Sequence, residues 1–228
     1  MEFTQGAPFD SFGLSEATMR AIRNKGYEIS TPVQAGCIPP MLAGKDVIAK
    51  APTGTGKTMA FGIPIIERID PDSEDVQAVI LAPTRELAMQ ITDEMRQIAV
   101  CHEGVRLVCL YGGQPIAKQI NALKRRPQIV VATPGRLSDH MKRRTVTLGQ
   151  VQTVVLDEAS SPRSCKNFVS RSVEPLVLQK QMTRSSCWAR MMAAMASTFL
   201  SDGTSMRYCR MSGLFSRVAC TVISSGSR

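Results

Sequence analysis

Nowhere does this 228-residue chain run apolar for the roughly 18 residues that a membrane-spanning helix requires. Its longest such stretch, Met191 to Leu200, is broken by Ser197 and Thr198, so no membrane partner is expected. The start, Met-Glu-Phe-Thr-Gln-Gly, lacks the basic residues and apolar core of a secretory signal, and a cytoplasmic location is the expectation. Seven cysteines are present at irregular spacing, none in a CxxC pair, and the two histidines, His102 and His140, stand apart. That removes the usual sequence basis for a disulfide framework or a zinc site and leaves buried or idle thiols. Acidic residues are missing from one region only. Residues 160–228 hold Glu174 and Asp202 and no others, where the density of the preceding part would give about 7.

What is present divides at the same place. Residues 1–159 carry 18 Lys and Arg against 17 Asp and Glu, whereas residues 160–228 carry 10 against 2. Nearly all of the net charge of +9 therefore lies in the last 69 positions, and serine rises there from 5 to 15. We read an N-terminal domain over 1–159 and a basic, Ser/Arg-rich tail over 160–228. A nucleic-acid-binding role for the tail itself would need a stacking platform, but Phe168, Trp188, Phe199, Tyr208 and Phe215 are scattered.

Between residues 46 and 157, short apolar β-branched runs alternate with segments of helical period, the pattern of βα units feeding a parallel sheet. Strands are expected at Asp46–Lys50, Ala78–Ala82, Arg106–Leu110, Gln128–Ala132 and Thr153–Leu156. Helices are expected over about Arg85–Val100, Lys57–Ile69 and Ile116–Leu123, with a further one capped by Ser15 and ended by Gly26. The fold class is α/β, a three-layer αβα parallel sheet.

Ala51-Pro-Thr53-Gly54-Thr55-Gly56-Lys57-Thr58 follows the first strand and opens a helix. In that context the glycines let backbone N–H groups cradle phosphate oxygens at a helix N-terminus, Lys57 reaches the β/γ-phosphates and Thr58 can ligate Mg²⁺. The general pattern begins with Gly; here Ala51 stands in that place. At the end of the last strand Asp157 and Glu158 put two carboxylates where ligands of open α/β sheets sit. Asp157 is expected to hold Mg²⁺ through water, and Glu158 to polarise an attacking water.

The ordered set of motifs resembles the first RecA-like domain of the DEAD-box RNA helicases, over about Phe9 to Ala159. Gly26-Tyr27-Glu-Ile-Ser-Thr-Pro-Val-Gln34, with Phe9 upstream, resembles the Q motif, and Ala51–Thr58 motif I. Pro83-Thr84-Arg85-Glu-Leu87 is similar to motif Ia, Gly112-Gly113 to the GG motif, Thr133-Pro-Gly-Arg136 to motif Ib, and Asp157-Glu158-Ala159 to the start of motif II. The resemblance implies a RecA-like P-loop fold that binds ATP and Mg²⁺. Gln34 would read the adenine edge, with Phe9 and Tyr27 nearby. Thr84, Arg85, Gly113, Thr133 and Arg136 would contact the RNA backbone without reading sequence. The basic runs Lys124–Arg126 and Lys142–Arg144 could extend that surface, although basic runs at helix ends are usually solvated.

The family's Asp-Glu-Ala-Asp ends here in Ser160, at the compositional break. Its Ser-Ala-Thr motif, expected about 30 residues on, and the second RecA-like domain with its arginine finger are not recognisable in residues 160–228. The tail reads as a frame slip or as an unrelated extension. In proteins of this class the strand bearing the third motif lies between the P-loop strand and the motif II strand, so the domain is expected to be incomplete at its C-terminal end. A gap at the sheet's centre and poor stability would follow. Val173–Leu178 and Val218–Ile223 are the tail segments with the β-branched character to fill it. The expected function is that of an ATP-dependent RNA helicase N-terminal domain, inactive alone in unwinding. The alternative is a catalytically incompetent ATP/RNA-binding fragment.

Overall fold

The computed structural model describes residues 5–157 and, in backbone, 219–224. After a 3-10 turn at Phe9–Phe12 come α1 (Glu16–Asn24), α2 (Pro32–Leu42), β1 (Val47–Lys50), α3 (Lys57–Arg68), β2 (Ala78–Leu81) and α4 (Arg85–Ala99). The chain continues through β3 (Leu107–Leu110), α5 (Ile116–Leu123), β4 (Ile129–Ala132), α6 (Pro134–Lys142), β5 (Thr153–Asp157) and β6 (Ala219–Ser224). The five expected strands and four expected helices are all present, within one or two residues at either end.

Two helices were not anticipated. The run Pro39-Pro40 inside α2 removes two backbone donors and argues against a helix. The segment forms because Thr31 and Gln34 make a reciprocal capping box with Pro32 at the first turn, and because Val33, Cys37, Ile38 and Met41 bury one face. α6 opens on Pro134-Gly135, which reads as a turn, yet it buries Leu137 and His140.

All pairings in the sheet are parallel, in the order β1-β6-β5-β2-β4-β3. Alternation along the strands divides the core between two faces. Ala78, Ile80, Ile129 and Val131 join one cluster with Ile22, Ile38, Phe61 and Met95 from α1 to α4. Val79, Leu81, Val130 and Ala132 join a second with Leu123 of α5 and Leu137 of α6. Each fully buried Leu, Ile or Phe contributes about 1.5–3 kcal/mol, so both helical layers are held by the same strands. Close approach of α3 and α4 needs Gly62, where a Cβ would lie 2.6 Å from the Met95 sulfur. Burial also pushes the Cys37 thiol up to about 11, which makes it idle. Among the described residues no helix is long and apolar enough to cross a membrane.

The centre of the sheet is not open. β6, six residues of the basic tail, lies between β1 and β5, with Val222 opposite Ile48 on one side and Leu156 on the other. It is the second of the two candidate segments, displaced by one residue; Val173–Leu178 lies outside the described residues. Strands β1 to β5, over residues 47–157, therefore share their sheet with part of the tail. A Val222→Pro substitution removes a donor at a strand paired on both sides. We expect it to lower stability by about 1–3 kcal/mol or more, read as an earlier urea midpoint and lost amide protection in β1 and β5. An unchanged melt would place β6 outside the cooperative unit.

Candidate nucleotide-binding site

Parallel strands all end on one edge, and that edge gathers the motif residues. The glycine loop follows β1, Thr84 and Arg85 follow β2, Gly113 follows β3, Thr133 and Arg136 follow β4, and Asp157 closes β5. Strand order then sorts them: the loop and Asp157 lie toward the β1 side, the remaining groups toward the β3 side. With about 4.8 Å between neighbouring strands, the glycine loop at the end of β1 lies three spacings, roughly 14 Å, from the end of β2, whereas Asp157 on β5 is one spacing from β2.

On the β1 side, Gly54 and Gly56 have φ of +80° and +81°, a region L side chains avoid. A Cβ on Gly56 would also lie 2.3 Å from Gln34 Nε2. Thr55 Oγ1 closes the turn by donating to Pro52 O at 2.7 Å. Gly56 caps α3 without any side-chain hydrogen bond, which leaves first-turn N–H groups available to an anion. Lys57 is 8% exposed, and its ammonium has no hydrogen-bond partner among the described residues. An ammonium held this way costs several kcal/mol unless a negative group meets it. The loop and Lys57 therefore fit a phosphate chain. Thr58 is half-buried and Asp157 buried. Among the described residues no cluster of three or more His, Cys, Asp or Glu side chains occurs. Glu158 lies outside the described residues.

Gln34 is buried and links α2 to the glycine loop. Its Oε1 accepts from Thr31 N at 2.9 Å, and its Nε2 donates to Gly56 O at 3.1 Å; Thr31 Oγ1 donates to Thr55 O at 2.8 Å. One amide N–H and one lone pair remain for a base edge. Phe9 sits in the core, its ring edge-on to Phe12 at 5.9 Å. Tyr27 is the exposed aromatic of this corner, 46% accessible, and Ile29 beside it is 67% accessible; Ile29 was not singled out from sequence.

On the β3 side, Thr84 caps α4 by accepting from Leu87 N at 3.3 Å. Arg85 pairs with Glu86 at 2.5 Å, and Gly113, at φ +87°, packs beside the Arg85 guanidinium. Thr133 N donates to Leu110 O at 2.9 Å, tying the end of β4 to β3. Arg136 donates to Gln114 O at 2.9 Å and to Gln119 Oε1 at 3.2 Å. Gln119 is 2% exposed and uses its full bonding capacity. Its Nε2 donates to Tyr111 O and Gln114 Oε1, both at 2.9 Å, and its Oε1 also accepts from His140 Nε2 at 3.0 Å. That assigns the Nε2–H tautomer, with Nδ1 facing Thr145 Oγ1 at 2.8 Å. Burial, then the Arg136 charge, lowers the His140 pKa and keeps the ring neutral. Gln114, Gln119 and His140 carry no local sequence signal, because their partners come from different elements.

The family model of DEAD/DEAH box helicases matches residues 31–167, eight residues beyond Ala159. A DEAD-box ATP-dependent RNA helicase CshA of Bacillus subtilis is 52% identical over 151 residues, 66% of this chain and 30% of that protein. The ATP-dependent RNA helicase CshA of Listeria monocytogenes is 51% identical over the same length, 29% of its own. The chain thus spans about 30% of the curated relatives it matches. The crystal structure of a DEAD box protein from Methanococcus jannaschii superposes with a TM-score of 0.68 at 30% identity, covering 98% of this chain and 51% of that one. A hypothetical ATP-dependent RNA helicase from Sulfolobus tokodaii gives 0.63 at 29%, with 92% and 50% covered. The fold is a RecA-like P-loop domain.

Two substitutions probe this geometry. Lys57→Met removes the buried, unmet charge, so the nucleotide-free protein is expected to be at least as stable as the parent, by up to about 1–3 kcal/mol in a urea melt; a clear loss would mean the ammonium has a partner. Gln119→Leu strands Arg136, His140 and two carbonyls and is expected to cost about 1–3 kcal/mol in the same melt, with faster amide exchange across 111–114.

Proposed function

This chain belongs to the DEAD/DEAH box helicase family, and on that footing we propose that it binds ATP with Mg²⁺ at the β1 side of its loop edge and RNA backbone at the β3 side. The observation that carries the reading is Lys57, an ammonium buried at a helix N-terminus and left unmet among the described residues. Thr53 to Gly56 would offer backbone N–H groups to the phosphates, and Lys57 would neutralise the β/γ oxygens. Thr58 and Asp157 would hold Mg²⁺, which spreads the phosphate charge when bound. Gln34 has a donor and an acceptor to spare, which suits adenine. Phe9 braces this corner from the core, and Tyr27 offers an exposed ring. Glu158 would orient water for hydrolysis. Thr84, Arg85, Gly113, Thr133 and Arg136 would take RNA phosphates without reading bases.

In the full-length context the reaction proposed is ATP hydrolysis coupled to local strand separation. For the 228 residues alone we propose binding without unwinding. An arginine finger contributes about 10³ to 10⁵ in turnover, and no motif that would carry one is recognisable in residues 160–228. The competing reading, a binding-only fragment, predicts no RNA-stimulated hydrolysis at all.

Titration with fluorescent nucleotide analogues tests the base and phosphate parts separately. The parent is expected to prefer ATP to GTP by about tenfold, the value of one neutral hydrogen bond. Lys57→Ala is expected to weaken both by roughly 10- to 100-fold. Gln34→Ala should bring the ATP/GTP ratio near one; the ratio is the readout, because this variant also loses the Gly56 contact. Equal affinities in the parent would count against base recognition.

A further inference from the structure

We propose that the cleft along the open edge of β3 is a second RNA subsite, taking phosphates of a single-stranded flank that leaves the Gly113–Arg136 surface. It rests on the RNA-backbone reading above and extends it to a place no motif marks. The cleft has a volume of about 620 Å³ and runs between α4 and α5. Arg96 lines it from α4, Arg106 from the foot of β3, Lys118 from α5 and Arg125 from just beyond. Asp93, its one lining acid, is engaged by Arg96 at 2.8 Å. Arg106, Lys118 and Arg125 have no ion-pair partner among the described residues. Arg106 is oriented by donating its Nε–H to Arg126 O at 3.0 Å. Arg125 thus belongs to a wall facing other cations rather than to a merely solvated helix end.

Continuity favours RNA over other acidic ligands. Tyr111 and Gln114 line the upper end of the cleft, and Gln119 and Arg136 fix these same two residues on the proposed RNA surface. Tyr111 supplies a partly exposed ring for stacking. The floor adds donors. Arg106 O and Leu110 O accept from β4, so by strand alternation the backbone groups of Leu107 and Cys109 turn toward the cleft, where N–H groups meet phosphates well.

The test uses the whole 228-residue chain, fluorescence anisotropy, and oligouridylates of 6 and 12 nucleotides across a salt series. The 12-mer is expected to bind the parent more tightly and with the steeper salt dependence. Replacing Arg106, Lys118 and Arg125 together by Gln should lower the slope for the 12-mer by about 2, at about 0.7 per lost phosphate contact on a single strand. The 6-mer should be unaffected. If a urea melt shows that the triple variant is compromised through Arg106, the Lys118→Gln/Arg125→Gln pair is read instead, with an expected change of about 1.4. Identical 12-mer binding by parent and variant overturns the subsite, as does equal loss for both RNAs. Self-association of the variant with RNA binding unchanged also overturns it, and assigns the charges to guarding the β3 edge against strand pairing. A glutamate-rich peptide that occupies the cleft without displacing the 12-mer overturns it as well. A 6-mer that does not bind the parent overturns the Gly113–Arg136 surface instead, and the cleft is then judged by the 12-mer alone.

Discussion

Backbone pairing on both sides of every inner strand is the constraint from which the rest of this molecule follows. A parallel sheet exposes its N–H and C=O groups wherever a neighbour is missing, and its buried faces offer no water to replace one. β1 delivers the glycine loop and β5 delivers Asp157, and the two strands do not touch. β6 joins them through ladders on either side. The spacing of the glycine loop from the carboxylate is thus set by a strand that contributes none of the motif residues. A stretch of Ala-Cys-Thr-Val-Ile-Ser has the uncharged, partly β-branched composition that strands favour.

The sheet's upper edge on the β1 side carries local conflict. Lys57 is buried without a partner among the described residues, and Gly54 and Gly56 hold positive φ. Each feature costs stability, and an anion bound there would offset the cost, since a bound ligand stabilises the state that binds it. Gln34 joins this conflict to the body of the domain. Through Thr31 it caps α2, and through Gly56 O it holds the loop, so the cap of α2 and the posture of the glycine loop share one side chain.

The other side of the edge is built in the opposite way. There the polar groups are satisfied rather than left open: Gln119 has all its partners, His140 is neutral and doubly bonded, and Arg136 is aimed by two acceptors. Such a network fixes the geometry of Tyr111–Gln114 without waiting for a ligand. Beyond it β3 is the outer strand of the sheet among the described residues, and its cleft is lined with cations, a composition that discourages strand pairing.

Much of this was legible in the amino acids. Strands buried on both faces leave continuous apolar runs, amphipathic helices leave a 3.6-residue period, and a phosphate loop needs Gly, Lys and Thr at fixed spacing. Those signals are local, which is why β1 to β5, α1, α3, α4 and α5 were found with their motifs in place. α2 has a local signal in Thr31-Pro32-Val33-Gln34, a capped helix start, but Pro39 and Pro40 inside it remove backbone donors and hide the helical pattern. Other features have no local signature. That Gln34 is tied to Gly56, that Phe9 is core, and that Gln119 gathers Arg136, His140 and Tyr111 are decisions of tertiary structure, while β6 left a β-branched run in the sequence and the sheet decided that it pairs there. Each depends on groups distant in the chain arriving within hydrogen-bonding or packing distance, and only the closed sheet brings them there.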